Sequence, residues 1–323
     1  MARDEWDPRS LPDLTGRVFM VTGSNAGLGF FSSEQLARAG AHVVMTGRNP
    51  NRLAAARATI ERRLTDAGEP ADLETLLMDT SNLGSIRAAA ATARGRRKLD
   101  GLLLNAGIVH APHTRETTPD GYELVFATNV LGHFALAAEL LPNLAAAGGR
   151  MVWIGSMSSW LWPHTLDDIQ LEEGYSAWRA YVQSKVAAAA LGFEADRRLR
   201  DVGVPVSSVV AHPGYSISGR TPAIRDINEP SRWGRFADNL QTPISQSKEH
   251  GAWTLVRALV DPAIDSGEFL GPRYIAHGEP RRQSPAKVVR DPEIGARVWE
   301  ACETMTRMPW PFARAARAAR RAR

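Results

Sequence analysis

A tyrosine and a lysine four residues apart have the types and the spacing that proton transfer needs. Tyr181 and Lys185 occur in YVQSK, inside the segment 175–200, whose pattern predicts a long helix. Residues i and i+4 share one helical face, so the phenol and the ammonium are neighbours. A nearby cation favours the phenolate and lowers the pKa of the tyrosine, which suits a general acid/base for a carbonyl or an alcohol. The pair alone also occurs by chance.

Three serines follow an apolar run, and only one of them stands at the end of a strand. The stretch RMVWIGS, residues 150–156, predicts a strand that ends at Ser156. Ligands of doubly wound sheets bind at the carboxyl ends of the strands, which favours Ser156 as a catalytic hydroxyl. Ser158 and Ser159 come after the strand, where turn formation accounts for them.

The elements that must position these side chains alternate along the chain. Apolar runs predict strands, and periodic Ala/Leu/Arg-rich runs predict helices between them. This pattern is typical of a parallel sheet covered on both faces. We therefore expect an α/β fold: a single doubly wound Rossmann-like domain with a mostly parallel seven-stranded sheet and helices on both faces. The predicted strands cover 17–23, 41–47, 73–79, 99–107, 150–156, 204–214 and 272–276, and the predicted helices about 28–39, 51–68, 82–93, 122–146 and 175–200.

Length and composition set the limits of that domain. The chain has 323 residues, of which 44% are hydrophobic, enough for one large core. We expect an N-terminal extension at 1–14, the catalytic domain at 15–280 and a helical, Arg-rich extension at 281–323. The stretch 215–248 interrupts the alternation with Ser, Pro, Asn and Arg. A loop of that length in a compact fold is typically a lid or a binding loop, so we expect the substrate loop there.

A glycine-rich loop follows the first predicted strand directly. Its sequence, TGSNAGLG, lets the chain turn tightly and lets backbone amides approach a pyrophosphate at a helix N-terminus. A packing turn is the alternative, but the position after the first strand of an α/β chain favours a dinucleotide. The predicted contacts are Gly23, Ser24, Asn25, Ala26, Gly27, Leu28 and Gly29.

The end of the second predicted strand bears on the choice of dinucleotide. NAD-selective folds usually place an Asp or Glu there for the ribose hydroxyls, whereas this chain reads TGRN at 46–49. The Arg48 guanidinium can pair with a 2′-phosphate through two hydrogen bonds, which favours NADP(H) over NAD(H). Alternatively, Arg48 is one more solvated arginine.

Taken together and in this order, the motifs resemble those of the short-chain dehydrogenase/reductase family. The resemblance covers about residues 15–280. It implies an enzyme that transfers a hydride between a nicotinamide cofactor and a carbonyl or alcohol carbon. The matching motifs are TGSNAGLG, the N-A-G motif at 105–107, the helix asparagine in TNV at 128–130, the strand serine in IGS, YVQSK, and the Pro-Gly pair at 213–214.

The resemblance also implies a role for each matching residue. Tyr181 would exchange a proton with the substrate oxygen, and Ser156 would hold that oxygen. Lys185 would bind the nicotinamide ribose and lower the pKa of Tyr181, so both residues border the cofactor, and Asn129 would support a water-linked proton path. Among the other implied cofactor contacts, Asp79 would contact the adenine, and Thr80 stands next to it where the family has an apolar residue. Asn105, Ala106 and Gly107 would lie beside the adenosine ribose. Ser218, which follows Pro213 and Gly214, would contact the nicotinamide carboxamide.

The separation of 25 residues between Ser156 and Tyr181 is longer than in many members of the family. The extra residues include Trp160-Leu161-Trp162-Pro163 and a D-x-Q-like element at 168–170. A similar insertion occurs in the branch that resembles retinol dehydrogenases and their bacterial relatives, which loosely implies a bulky lipophilic substrate. Trp160 and Trp162 either line an apolar substrate pocket or simply pack the insertion.

Composition argues against several other classes of protein. The N-terminus lacks an apolar signal region, and no run approaches the roughly 18 apolar residues of a transmembrane helix. The single cysteine, Cys302, excludes an intrachain disulfide. His110, His113 and His133 lack metal-like spacing, so no metal is expected. We therefore expect a cytoplasmic protein.

The formal net charge of +4 is concentrated at one end of the chain. Residues 307–323 hold six arginines and no acid, so the remainder carries about −2 and gives no reason to expect nucleic-acid binding. The Arg-rich tail is either a solvated, frayed terminus or a peripheral contact for an anionic membrane surface. The expected partner is a small carbonyl or alcohol substrate, and the resemblance implies a homo-oligomer packed through the two long helices.

These observations predict an NADP(H)-preferring oxidoreductase. The alternative is a catalytically silent nucleotide-binding regulatory or scaffold protein of the same fold, which would have no need of the Tyr181 phenol. His212 is expected to orient the loop after the sixth strand, since Tyr181 fills the acid/base role.

Overall fold

An eight-stranded sheet forms the centre of the protein in the computed structural model, which describes residues 6–95, 98–160 and 166–322. Its strands are β1 (Val18–Val21), β2 (His42–Gly47), β3 (Asp72–Leu77), β4 (Gly101–Leu104), β5 (Arg150–Ile154), β6 (Ser207–Ala211), β9 (Phe269–Pro272) and β10 (Pro280–Arg282). They lie in the order β3-β2-β1-β4-β5-β6-β9-β10, and only the pair of β9 and β10 is antiparallel. This order reverses direction between β1 and β4, which places the ligand crevice at the carboxyl ends of these two strands.

Helices cover both faces of this sheet, so the predicted doubly wound α/β fold is confirmed. One apolar cluster joins the sheet to α1, α2 and α8, and a second joins it to α3, α5 and α6. Strands of this kind are buried on both sides, which explains their continuous Val, Ile and Leu runs. The bounds of these helices are α1 (Gly27–Arg38), α2 (Pro50–Asp66), α3 (Leu83–Arg94), α5 (Gly132–Ala147), α6 (Ala177–Asp201) and α8 (Lys248–Val260).

The prediction of seven strands, with the last at 272–276, was wrong. The last parallel strand ends at Pro272, and the chain then reverses. Ile275 has a positive φ of 64°, and the amide of Tyr274 donates to the carbonyl of His277 at 3.0 Å. This tight reversal brings β10 back along β9 as an eighth, antiparallel strand. In the sequence PRYIA, Pro272 therefore ends β9, and residues 273–276 form a turn and not a strand.

The helix predicted at 122–146 is one apolar stretch with an irregular beginning. It starts as α4 (Leu124–Phe126), passes through a π-helical segment (Ala127–Leu131) and continues as α5. By length and composition alone, Leu124–Ala147 could cross a membrane, with a mean hydropathy of 1.6, but 89% of that window is buried inside the protein. A buried core helix passes the same test, so the stretch is weak evidence for a span.

The C-terminal extension is helical and docks on the domain. It contains α9 (Lys287–Arg290), α10 (Pro292–Thr306) and α11 (Phe312–Ala322). Helix α10 packs on α6 and α11 packs on α5. Ala315 and Ala319, one turn apart, are buried, while Arg314 and Arg317 are exposed. The terminus is therefore a docked amphipathic helix and not a frayed segment.

The segment 215–248 is less irregular than its sequence suggests. It contains α7 (Arg232–Asn239), and its two ends pair as the short parallel strands β7 (Ser216–Ile217) and β8 (Gln246–Ser247). The side-chain amide of Asn228 donates to the carbonyls of Ser218, Thr221 and Pro222 at 3.0–3.2 Å. These contacts close the segment at its base and leave α7 at the surface.

Candidate active site

Two hydroxyl groups meet at the carboxyl end of β5. Ser156 follows β5 by two residues, and Tyr181 lies in the second turn of α6, which packs on β5. The hydroxyl of Tyr181 donates to Oγ of Ser156 at 3.4 Å. Two residues separated by 25 positions in the chain are thus brought together, as the motifs predicted.

Lys185 lies one turn beyond Tyr181 and is buried. Its ammonium donates to the carbonyl of Ile154 at 3.4 Å, and burial lowers its pKa to about 8. Burial raises the pKa of Tyr181, and the hydrogen bond to Ser156 offsets part of that rise. The expectation that Lys185 lowers the pKa of Tyr181 is therefore not met. The reason is that burial removes water from the phenolate and is the largest cause of the shift.

The three serines have different surroundings. Oγ of Ser156 accepts hydrogen bonds from the amide of Ser158 at 3.1 Å and from the hydroxyl of Ser158 at 2.9 Å. Because these two donors and the Tyr181 hydroxyl all point to the Ser156 oxygen, its own proton is available to a substrate oxygen. Oγ of Ser159 is buried and has no partner among the described residues. The interpretation of Ser158 as a simple turn residue was incomplete, because it contacts the candidate catalytic hydroxyl directly.

Asn129 joins three parts of the chain from the π-helical segment. Its side-chain amide donates to Oγ of Ser184 at 2.9 Å and to the carbonyl of Ile108 at 3.1 Å. Its side-chain carbonyl accepts the amide of Ile108 at 2.7 Å. The side chain thus ties the loop after β4 to α6 one turn from Tyr181. Its role in a proton path stays a prediction.

His133 is a site residue that sequence reasoning missed. Nε2 of His133 lies 3.0 Å from Oγ1 of Thr22, and Nδ1 lies 3.2 Å from the backbone carbonyl of Asn129. Because that carbonyl only accepts, Nδ1 carries the proton, and Nε2 accepts from Thr22. Burial, followed by the positive charge of Lys185, lowers the pKa of His133 to about 3. The side chain is therefore a neutral link between Asn129 and the end of β1.

The glycine-rich loop has the shape that a dinucleotide requires. Gly23 and Gly27 have positive φ values of 69° and 58°, which favour glycine. A Cβ atom on Gly29 would clash with the carbonyl oxygen of Gly23, and one on Gly23 would lie 2.9 Å from Cα of Ala106. Ala26 is the N-cap of α1 and supplies no side-chain hydrogen bond to the first turn. The backbone amides there are thus left for an anion, so the loop fits a pyrophosphate.

The N-A-G motif supports this loop from the next strand. Oγ1 of Thr22 accepts the amides of Asn105 and Ala106, both at 2.8 Å. The side-chain amide of Asn105 donates to the carbonyl of Thr22 at 2.8 Å. A Cβ atom on Gly107 would lie 2.9 Å from Oδ1 of Asn129. Asn105, Ala106 and Gly107 therefore hold β1 and β4 together at the crevice.

The predicted adenosine contacts lie around the ends of β2 and β3. Arg48 is exposed, and its side chain has no hydrogen bond or ion pair within the described ranges. A Cβ atom on Gly47 would lie 3.1 Å from Oδ1 of Asn25, so the end of β2 touches the glycine-rich loop. The Asp79 carboxylate accepts the amide and the hydroxyl of Ser81 at 2.9 and 2.7 Å. Thr80 is buried and Leu28 is partly buried.

Ser24 is the exception among the loop residues. Its hydroxyl is fully buried and donates to the carbonyl of Val21 at 2.7 Å. That side chain stabilises the turn from inside, and the Ser24 amide donates to the carbonyl of Thr46 at 2.8 Å, so both donors of Ser24 are used within the protein.

The loop after β6 is oriented by a histidine, as predicted. Nδ1 of His212 accepts the amide of Gly214 at 3.3 Å, and Nε2 lies 3.0 Å from the side-chain oxygen of Gln283. Burial lowers the pKa of His212 to about 4. The carbonyl of Pro213 accepts a hydrogen bond from the hydroxyl of Ser216 at 2.8 Å. Farther along, the hydroxyl of Ser218 accepts a hydrogen bond from the ammonium of Lys248 at 2.7 Å. No sequence motif indicated Lys248.

The insertion before Tyr181 is anchored to the domain. The side-chain amide of Gln183 donates to the carbonyl of Asp168 at 2.7 Å, and Gln170 accepts the amide of Glu123 at 2.8 Å. The D-x-Q-like element is thus a structural tie. Trp160 contacts the rings of His212 and Phe269 at centroid distances of 5.4 and 5.7 Å. Trp162, which was predicted either to line an apolar pocket or to pack the insertion, lies outside the described residues.

No group of three or more His, Cys, Asp or Glu side chains that could hold a metal occurs within residues 6–95, 98–160 and 166–322. Cys302 is buried in the second apolar cluster, and burial raises the pKa of its thiol. The thiol therefore stays protonated and has a packing role.

The doubly wound sheet and the site at its carboxyl edge together define a class of enzyme. The protein is an NAD(P)-dependent oxidoreductase that acts on CH–OH groups. Residues 17–226 match the short chain dehydrogenase family. The chain belongs to the short-chain dehydrogenase/reductase family.

Similar proteins agree with the branch that the insertion indicated. A polyprenol dehydrogenase of Mus musculus is 34% identical over 304 residues, which cover 92% of this chain and 86% of that protein. Retinol dehydrogenase 14 of Mus musculus is 29% identical over 90% of this chain and 86% of its own length. An uncharacterized protein from Mycobacterium paratuberculosis has a crystal structure with a TM-score of 0.74 and 30% identity, covering 95% of this chain and 99% of that one.

Proposed function

We propose that the protein is an NADP(H)-preferring oxidoreductase for a lipophilic carbonyl or alcohol substrate, with Tyr181 as the general acid/base. The observation that carries this proposal is the 3.4 Å contact between the hydroxyls of Tyr181 and Ser156 at the end of β5. In the same sheet, β1 leads into a loop whose first-turn amides have no side-chain cap and so fit a pyrophosphate. A protein that only bound the nucleotide would not need this pair of hydroxyls.

Proton transfer follows from the hydrogen bonds of these hydroxyls. Ser156 accepts from Ser158, so its own proton points to a substrate oxygen and holds it. Tyr181, within reach of the same oxygen, gives its proton to that oxygen as the carbonyl becomes an alcohol, and takes it back in the oxidation. The nicotinamide cofactor, when bound, supplies or accepts the hydride. Burial raises the pKa of Tyr181, which keeps the phenol protonated for reduction.

Arg48 supports the preference for NADP(H). It stands at the exposed end of β2, next to Gly47 and the glycine-rich loop, where a 2′-phosphate would pair with its guanidinium. We expect Arg48→Ala to lower kcat/KM for NADPH about 10- to 100-fold and to leave kcat/KM for NADH nearly unchanged. Arg52→Ala removes an exposed arginine from the first turn of α2 and serves as the matched control. Equal losses with both cofactors would contradict the preference.

Apolar side chains near the site support a lipophilic substrate. Trp178 is 48% exposed and its ring centre lies 6.2 Å from that of Tyr181. On α7, Trp233 and Phe236 are 80% and 57% exposed and contact each other. Such surface is unusual unless it binds something. The names of the similar polyprenol and retinol dehydrogenases point the same way.

A panel of alcohols and aldehydes tests the proposal as a whole. We expect turnover with NADP(H), measured by nicotinamide absorbance, and a kcat/KM that increases with the length of the apolar chain. Trp178→Ala should remove most of that increase while leaving short substrates within about threefold, because each buried methylene contributes roughly 0.8 kcal/mol. Cofactor binding without turnover, equal in the native protein and in Tyr181→Phe, would favour the catalytically silent alternative.

Location and assembly belong to the same proposal. We propose a cytoplasmic enzyme, in keeping with its single, buried cysteine. A homo-oligomer would have to use a surface other than the outer face of α5, since α11 of the same chain packs there.

A further inference from the structure

Lys248 is the last residue of the segment 215–248, at the point where this segment returns to the domain. It is the first residue of α8, directly after β8. Its backbone amide donates to Oγ1 of Thr221 at 2.9 Å, and Ser247 caps the helix by accepting the amide of His250 at 3.1 Å. These bonds fix the direction in which the Lys248 side chain leaves the backbone.

The Lys248 side chain crosses from α8 towards the glycine-rich loop. Its ammonium donates to Oγ of Ser218 at 2.7 Å, and a Cβ atom on Gly27 would lie 3.6 Å from Cδ of Lys248. Gly27 begins α1, whose first-turn amides have no side-chain cap. The lysine therefore joins the two sides of the crevice, the loop after β1 and the loop after β6.

No ion pair balances this charge in the described part of the chain. Burial lowers the pKa of Lys248, and only the more distant charge of Asp238 acts in the opposite direction. The Asp238 carboxylate itself accepts the amide of Gly219 at 2.6 Å. A cation in the first turn of a helix is also disfavoured by the helix dipole. Stability alone gives no reason for a lysine here.

We propose that Lys248 is a cofactor-binding residue whose ammonium binds the pyrophosphate of the dinucleotide. The free amides at the start of α1 and the ammonium face the same crevice, and a diphosphate would satisfy both. Because Lys248 donates to Ser218, the Ser218 hydroxyl keeps its own proton for a cofactor oxygen. The inference rests on the dinucleotide-binding part of the proposed function, and not on the choice of NADP(H) or of a lipophilic substrate.

Calorimetric titration with ADP-ribose tests this role without any turnover. ADP-ribose contains the pyrophosphate but neither the nicotinamide nor a 2′-phosphate. We expect Lys248→Met to raise its Kd about tenfold or more at low salt, and Lys248→Arg to restore most of the affinity. The difference between Lys248→Met and the native protein should shrink as the ionic strength rises.

Thr221→Val is the matched control. It removes the hydrogen bond to the Lys248 amide but leaves the ammonium in place, so the Kd should stay within about twofold of the native value. An unchanged Kd in Lys248→Met would overturn the proposal, as would equal losses in Lys248→Met and Thr221→Val at matched melting temperatures. If no substrate is turned over, ADP-ribose binding still decides the role of Lys248.

Discussion

Nε2 of His133 and Oγ1 of Thr22 lie 3.0 Å apart in the interior, 111 residues apart in sequence. Thr22 precedes the glycine-rich loop, and His133 donates to the carbonyl of Asn129, whose side chain contacts α6. One neutral imidazole thus joins the end of β1, before the glycine-rich loop, to Asn129, which contacts α6. We regard His133 as a positioning residue. Its ring contacts Thr22 and Asn129, and it has no hydrogen bond to Ser156 or Tyr181 among the described residues.

We expect His133→Phe to break the link between Thr22 and Asn129. The Thr22 hydroxyl keeps only its more distant acceptor, the Leu103 carbonyl at 3.3 Å, and the Asn129 carbonyl loses the imidazole donor, so the free energy of unfolding should fall by about 1–3 kcal/mol. The Kd of ADP-ribose should also rise, because the Thr22 hydroxyl also accepts the amides of the N-A-G motif. His133→Gln, which retains a donor and an acceptor, should recover most of the affinity. A stability loss without any change in Kd would contradict the positioning role.

Acid should weaken the fold through two buried histidines. The pKa values of His133 and His212 are lowered from 6.5 to about 3 and about 4. The unfolded chain therefore binds these protons first, and the free energy of unfolding falls as the pH drops from 6.5 towards 4. Each histidine contributes a slope of roughly 1.4 kcal/mol per pH unit within that window.

Urea denaturation at several pH values measures this slope. The two histidines together contribute part of the slope of the unfolding free energy against pH. In His212→Gln this part should fall by about half, since the variant has no imidazole to protonate at position 212. His277→Gln, at a surface turn, is the control. A slope that is identical in all three proteins would assign the acid sensitivity to carboxylates instead.

The serine cluster should give a graded series of activities. Ser156→Ala removes the hydroxyl that contacts Tyr181 and should lower kcat by about 100-fold or more. Ser158→Ala removes one of the two hydrogen bonds that Ser158 donates to Ser156 and should lower kcat about tenfold with little change in KM. Ser159→Ala, whose hydroxyl has no partner among the described residues, is the control. Ser158→Ala with native kcat would show that this support is dispensable.

Removal of residues 307–323 should expose the outer face of α5. Trp310 packs on Phe134 and Trp299 at centroid distances of 5.6 and 4.6 Å. We expect the truncated chain to self-associate in size-exclusion chromatography with light scattering, because this apolar surface loses its cover. A milder test is Ala315→Asp, which buries a carboxylate and should cost about 2–4 kcal/mol. Ala322→Asp, at an exposed position, should have no effect, and equal behaviour of the two variants would argue against the docked helix.

Much of this arrangement was predictable because its residues stand at strand ends or at helical spacing. Ser156 and the glycine-rich loop follow apolar runs that place them on one edge of the sheet. The Tyr181–Lys185 pair needs only the geometry of a helix. The pKa of Tyr181 was not predictable in the same way, since spacing reveals a neighbouring charge but not the depth of burial, and burial dominates.

Contacts between distant segments were missed for a related reason. His133 and Lys248 have partners 111 and 30 residues away, and neither belongs to a recognisable motif. A signal existed for Lys248, namely a cation at the start of a helix against the dipole. In α11, alanines one turn apart on the face opposite the arginines indicated a packed helix, but an Arg-rich composition pointed to a solvated tail.

The packing of α11 on α5 also has a consequence for biosynthesis. The end of α5 at Ala147 leaves the ribosome long before α11 does, since roughly 175 residues separate them. At about 5–20 residues per second, the outer face of α5 stays uncovered for about 10–35 s during translation. The packing of α5 is therefore completed only when α11 is released. The nascent chain is a natural client for chaperones that bind exposed apolar helices during that interval.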